Sequence, residues 1–150
     1  MVKNRKSVSF NGKLIERLLK FWLPVAIWAV VIFSFSSLPT IKASSLYWRE
    51  FVIKKTAHIV IYAVLSTLLY RALKESGVEK KEAGIYAIIL AILYGVSDEF
   101  HQAFTPGREP TARDVFFDTG GAVLAIYSLW KLLPKAPKKL KVLAHRLQLY

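Results

Sequence analysis

The segment Ser97-Asp98-Glu99-Phe100-His101-Gln102 puts two carboxylates, an imidazole, a hydroxyl and an amide within one short stretch. Lys55, His58 and Tyr62 form a second polar group, and Arg108, Arg113, Asp114 and Asp118 a third. Two kinds of chemistry suit such side chains. Carboxylates and imidazoles exchange protons as general acids and bases, and for catalysis the candidates are Asp98, Glu99, His101 and His58. Guanidinium and ammonium groups hold phosphate and other anions, arginine through paired bonds. His58, Asp98, His101 and Asp118 are all metal-ligand types. Their spacing matches no zinc pattern such as HExxH, so neither a metal nor a cofactor is expected. Ser97 has His101 four residues on, but no nucleophile elbow precedes it, which argues against a serine hydrolase. The chain has no cysteine, which excludes thiolate and disulfide chemistry.

These groups need helices to bring them together. Lys55, His58 and Tyr62 follow i, i+3, i+7 spacing and share a helix face. Asp114, Asp118 and Gly121 do the same, and Gly120 and Gly121 would allow close backbone approach. At about 100° per residue, Asp98, Glu99, His101 and Gln102 cover one face of about 160°.

The helices are apolar enough to cross a bilayer. Residues 21–38 form an uncharged run of 18 residues, against the roughly 20 that span a hydrocarbon core of about 30 Å. Further spans are expected at about 56–73, 83–104 and 115–133, with short connections between them. Pro24 falls in the first turn of the first span, where a missing N–H costs little. The expected fold is an all-α integral membrane four-helix bundle, a single membrane domain over residues 1–150. A basic lead precedes it (residues 1–20) and a basic tail follows (134–150). Leu14, Ile15, Leu18, Leu19 and Trp22 suggest an interfacial segment before the first span. Leu140, Leu143 and Leu147 suggest another in the tail.

The net charge is +12 and 54% of residues are hydrophobic. A nucleic-acid-binding module can be this basic but not also this apolar, so no nucleic-acid partner is expected. The 22 Lys and Arg are instead sorted along the chain. Lys3, Arg5, Lys6, Lys13, Arg17 and Lys20 precede the first span. Arg71, Lys74, Lys80 and Lys81 flank the second connection, and Lys131, Lys135, Lys138, Lys139, Lys141 and Arg146 follow the fourth span. These sixteen share one side, and the other six (Lys42, Arg49, Lys54, Lys55, Arg108 and Arg113) the opposite side. The positive-inside rule then places both termini in the cytoplasm. Ser36-Ser37-Leu38-Pro39 is a poor signal-peptide cleavage site, so the first span reads as an uncleaved anchor. In this orientation every group of the opening paragraph lies near the outer interface. Its six basic residues face six acids there: Glu50, Asp98, Glu99, Glu109, Asp114 and Asp118.

Ser97-Asp98-Glu99-Phe100-His101-Gln102, Phe104-Thr105-Pro106-Gly107-Arg108, Asp114-Val115 and Gly120-Gly121-Ala122 together resemble the VanZ-like family. Lys55-Thr56-Ala57-His58 with Tyr62 is similar to the family's second-span pattern, and Ser36-Ser37-Leu38-Pro39 to the end of its first. The resemblance covers residues 21–133. Asp118 stands where the family usually has Asn, and Ala125 where a second Gly often follows. The resemblance implies a cell envelope setting, the cytoplasmic membrane and a link to teicoplanin-type antibiotic resistance. It implies no reaction.

The function expected is binding of a lipid-linked cell-wall precursor or phospholipid headgroup by the outer cluster, with the lipid bilayer as the constant partner. Its ligand-binding residues are Lys55, His58, Tyr62, Asp98, Glu99, His101, Gln102, Arg108, Arg113, Asp114 and Asp118. Asp98 and Glu99 are expected to pair with Arg108, Arg113 or Lys55. The alternatives are a membrane enzyme acting on a lipid or cell-wall precursor by acid/base or metal-assisted chemistry at the same cluster, and an electrostatic clasp that fixes the outer loop. A transport path is disfavoured, because polar residues do not continue through the inner half of the bundle.

Overall fold

The computed structural model describes residues 12, 14–39, 47–108 and 111–149. The basic residues Lys3, Arg5, Lys6, Lys13 and Lys42, with Glu109 of the third connection, lie outside the described residues, as does the side chain of Glu50. Four helices are long and apolar enough to cross a membrane: α1 (Leu14–Ser36), α2 (Tyr47–Glu75), α3 (Lys80–Gln102) and α4 (Ala112–Lys135). A fifth, short helix, α5 (Lys138–Arg146), closes the described chain. All the regular structure among the described residues is helical.

The bundle runs up-down-up-down. Contacts set the helix directions. Ser36 meets Asp98 and Ala29 meets Tyr94, so α1 and α3 run parallel. Lys55 meets Asp114 and Ser66 meets Ala122, so α2 and α4 run parallel in the opposite sense. Both described termini therefore lie at one end, the terminal end. The 36–47 and 102–112 connections lie at the other, the loop end.

Two features make α2 and α4 the tightest pair. Gly121 approaches the α2 backbone so closely that a Cβ there would meet the Ile59 carbonyl oxygen at 2.2 Å. Tyr62, Leu65, Ser66 and Ile126 are fully buried along the same seam. In contrast, α1 packs lightly: 11% of its apolar window is buried, against 39% for α3. Its large residues Ile27, Val30, Phe33 and Phe35 remain outward-facing. In a chain of this composition those exposed apolar faces suit a lipid solvent.

The first span extends further than its uncharged run. It begins at Leu14, with Glu16, Arg17 and Lys20 inside the helix, and not at residue 21. The expected separate interfacial lead is thus the first turns of α1. Pro24, expected in a first turn, lies well inside the helix. A π turn over Leu18–Trp22 accommodates it, with the Leu23 N–H bonded five residues back to the Leu18 carbonyl. Proline's missing N–H and ring clash fall on the preceding turn, and a widened turn relieves both.

The terminal end is closed by aromatic and basic contacts. The Arg71 guanidinium lies 4.9 Å from the centre of the Phe21 ring. Trp22 Nε1 donates to Ser76 Oγ, and Arg71 Nη2 to Gln148 Oε1. In α5, Ala144 is buried while Leu140 and Leu143 are exposed, as is Leu147 just after it.

Candidate functional site

The loop end gathers polar side chains from all four long helices. Its first part is a two-rung ladder between α2 and α4. Lys55 and His58 are one turn apart on α2, and Asp114 and Asp118 one turn apart on α4. Because the helices run parallel, like ends meet. The Lys55 Nζ pairs with Asp114 Oδ1, and His58 Nδ1 lies 2.8 Å from Asp118 Oδ1. Asp118 is almost wholly buried. Gly95 of α3 makes room for it, since a Cβ there would meet Asp118 Oδ2 at 3.2 Å.

The second part joins α1 to α3. Ser36 Oγ donates to Asp98 Oδ2 at 2.6 Å. Gln102 Nε2 donates to the same oxygen at 2.9 Å and to Ser36 Oγ at 3.0 Å. Asp98, Gln102 and Ser36 are all buried, so these neutral donors replace the water a carboxylate would otherwise need. One turn along, Ser37 Oγ donates to its own helix at Phe33 and accepts from His101 Nε2 at 3.0 Å. His101 stacks on Phe33, with ring centroids 4.3 Å apart.

The third part is the 102–112 connection. Pro106 and Gly107 occupy its tight turn, closed by the Arg108 N–H on the Thr105 carbonyl. Gly107 has φ +76°, which the third position of a type II turn requires. That turn aims Arg108 at the end of α1, where Nε and Nη2 donate to the Leu38 and Phe35 carbonyls at 3.2 and 2.8 Å. A cation at a helix C-terminus also complements the helix dipole. The returning chain is fixed by the Thr111 N–H, which donates to Glu99 Oε2 at 2.7 Å.

These pairings correct part of the sequence reading. Asp98 and Glu99 were expected to meet Arg108, Arg113 or Lys55. Asp98 is held by Ser36 and Gln102, Glu99 by a backbone N–H, and Arg108 by carbonyls. Arg113 lies over the Phe51 ring, exposed, 5.4 Å from its centre. Ser97 is exposed and away from the cluster. Of the two glycines, only Gly121 makes a close approach, and Gly120 faces open space. Ser36, Ser37 and Thr111 were not singled out as site residues. Their signal was present: Ser36 and Ser37 are polar residues ending an otherwise apolar run.

A cavity of about 70 Å³ lies between α1, α2 and α3. Ile32, Phe35 and Ile61 supply apolar walls, while Ser36, His58, Tyr62, Asp98, Gln102 and Arg108 supply polar surface. Exposed Phe35 and half-buried Arg108 form its mouth, and buried Asp98, Gln102 and Tyr62 its floor. Lys55, Glu99, His101, Arg113, Asp114 and Asp118 do not line it. The site residues thus divide into a lining set and a supporting set. No group of three or more His, Asp or Glu able to hold a metal ion occurs among the described residues.

The arrangement can hold a small polar group between an anion-binding mouth and an acidic floor. It can also orient His58, whose Nδ1 is engaged by Asp118. No curated protein and no solved structure matches the chain. A family model does match, VanZ/LLP1, over residues 21–133. That range covers all of α2 and α3 and contains every residue of the loop-end cluster. The chain belongs to the VanZ/LLP1 family and is a multi-pass membrane protein.

Proposed function

We propose that this protein binds the headgroup of a lipid-linked or anionic envelope molecule at its loop end, with that end on the outer face of the cytoplasmic membrane. The single observation that carries the reading is the cavity between α1, α2 and α3. It has apolar walls at lipid-facing helices and a guanidinium at its mouth. An amphipathic molecule can present a headgroup there while its chains stay in the bilayer. The wall on the α1 side belongs to the most lightly packed of the four spans, and on the α2 side His58 is held by Asp118. The orientation follows from the excess of Lys and Arg near the terminal end. Lower susceptibility to teicoplanin-type antibiotics would follow indirectly, from reduced access to cell-wall precursors at the outer leaflet.

A second reading, an enzyme acting on a lipid or cell-wall precursor, has one observation in its favour. A buried carboxylate holding an imidazole that lines a cavity is a common way to orient a general base. However, of the four catalytic candidates only His58 and Asp98 line the cavity.

Native mass spectrometry of the protein extracted from its own membrane tests the binding reading. The wild type is expected to retain a phosphate-bearing lipid, and Arg108→Ala to lose at least tenfold of it. A wild type without bound lipid, or equal retention by Arg108→Ala, contradicts the reading.

A further inference from the structure

The cavity floor carries more acceptor capacity than its protein partners use. Asp98 Oδ2 takes both hydrogen bonds found at that carboxylate, from Ser36 and Gln102. Oδ1 has no hydrogen-bond partner among the described residues. The Tyr62 hydroxyl is buried in a residue only 1% exposed and also has none. His58 turns Nδ1 to Asp118, so in the neutral ring Nε2 keeps a lone pair without a partner among the described residues. All three residues line the one cavity. An unsatisfied buried polar atom is costly, and the Tyr62 hydroxyl is one; with the unused acceptors of Asp98 and His58 on the same small cavity, it suits a common occupant.

The occupant's chemistry follows from the inventory. The carboxylate and the imidazole lone pair accept, and the phenol both accepts and donates, so the guest must bring several donors. A primary ammonium brings three N–H donors and one positive charge. Asp98 has no cationic side-chain partner among the described residues, and its charge matches that of an ammonium. At the mouth, Arg108 spends Nε and one Nη2 hydrogen on α1 carbonyls and keeps Nη1 unbonded among the described residues. An anion there would sit a few bonds from an ammonium at the floor. A volume of about 70 Å³ admits an ammonium with a short carbon arm. It leaves little room for the methyl groups of a quaternary amine.

We propose that the cavity recognises a zwitterion, with a primary ammonium bound by Asp98, Tyr62 and His58 and a phosphate or carboxylate bound by Arg108. This rests on the headgroup-binding reading and names the class of headgroup. An aminoethyl phosphate lipid and a free amino group near an anion on a cell-wall precursor share this chemistry.

The test uses the full chain in detergent with short-chain phospholipids of identical tails. Phosphatidylethanolamine, phosphatidylcholine and phosphatidylglycerol are compared by calorimetry, together with free phosphoethanolamine. The expected result is at least tenfold tighter binding of phosphatidylethanolamine than of the other two lipids. Measurable competition by free phosphoethanolamine would show that the headgroup alone is read. If phosphoethanolamine fails to compete while the lipid preference stands, the zwitterion must arrive on a lipid. Tyr62→Phe, which removes one acceptor and little volume, should reduce the preference about threefold or more. Asp98→Asn should abolish it, with melting curves confirming that each variant is folded. If phosphatidylglycerol binds as well as phosphatidylethanolamine, the ammonium site is overturned while headgroup binding survives. If no lipid binds, both fail together.

Discussion

Gly121 offers the most direct test of the bundle that positions the site. A Cβ at this position would stand 2.2 Å from the Ile59 carbonyl oxygen, a backbone atom that cannot rotate away. For Gly121→Ala the α2 and α4 backbones must part by roughly 1 Å to restore an ordinary contact, and a gap of that size forfeits much of the dispersion along the seam. Overpacking of this kind costs about 1–3 kcal/mol. The same displacement stretches the Lys55–Asp114 and His58–Asp118 pairs, whose geometry depends on the seam. Gly120 is the internal control, because nothing lies within 4 Å of a Cβ there. Gly120→Ala should be neutral or stabilising by up to about 1 kcal/mol through helix propensity. Both variants are measured in bicelles by equilibrium unfolding, followed through the four tryptophans. A Gly121→Ala protein as stable as the wild type, or a Gly120→Ala protein that loses as much as Gly121→Ala, would refute the α2–α4 contact.

Two further substitutions probe the cluster itself. Ser36→Ala removes a donor from the buried Asp98 carboxylate and should cost about 1–3 kcal/mol, whereas Ser34→Ala, exposed and bonded only to its own helix, should stay within about 0.5 kcal/mol in the same unfolding assay. Asp118→Ala leaves His58 without its partner and should cost about 1–3 kcal/mol. Asp118→Asn keeps an acceptor at the same place and should recover at least half of that loss; equal damage by both would mean that charge, not geometry, holds the pair.

The four spans and the convergence of polar residues at one end were legible because hydropathy and helical spacing act locally. Lys55 with His58 and Asp114 with Asp118 lie on the expected faces, and those faces meet. The partners were harder to read. Asp98 was matched with cations because opposite charge is the only pairing rule a sequence displays. Which helix lies beside α3, and at what depth, decides that Ser36 reaches it first. Arg108 was likewise matched with acids, although the bare carbonyls at the end of α1 compete for it. The start of α1 was misplaced for a different reason. Glu16, Arg17 and Lys20 end the uncharged run, but charged side chains at a helix end can extend toward an interface without ending the helix. A π turn ahead of Pro24 leaves no compositional trace.

Binding of an envelope molecule requires the polar cluster to face the outer side of the membrane. The chain has no native cysteine, so a single Pro106→Cys places one thiol in the exposed turn beside Arg108. Intact cells treated with a membrane-impermeant maleimide should label it as fully as lysed cells do, and a Cys replacing exposed Lys135 at the terminal end should label only after lysis. The reverse pattern would put the polar cluster in the cytoplasm and contradict the proposal that it meets envelope molecules at the outer leaflet.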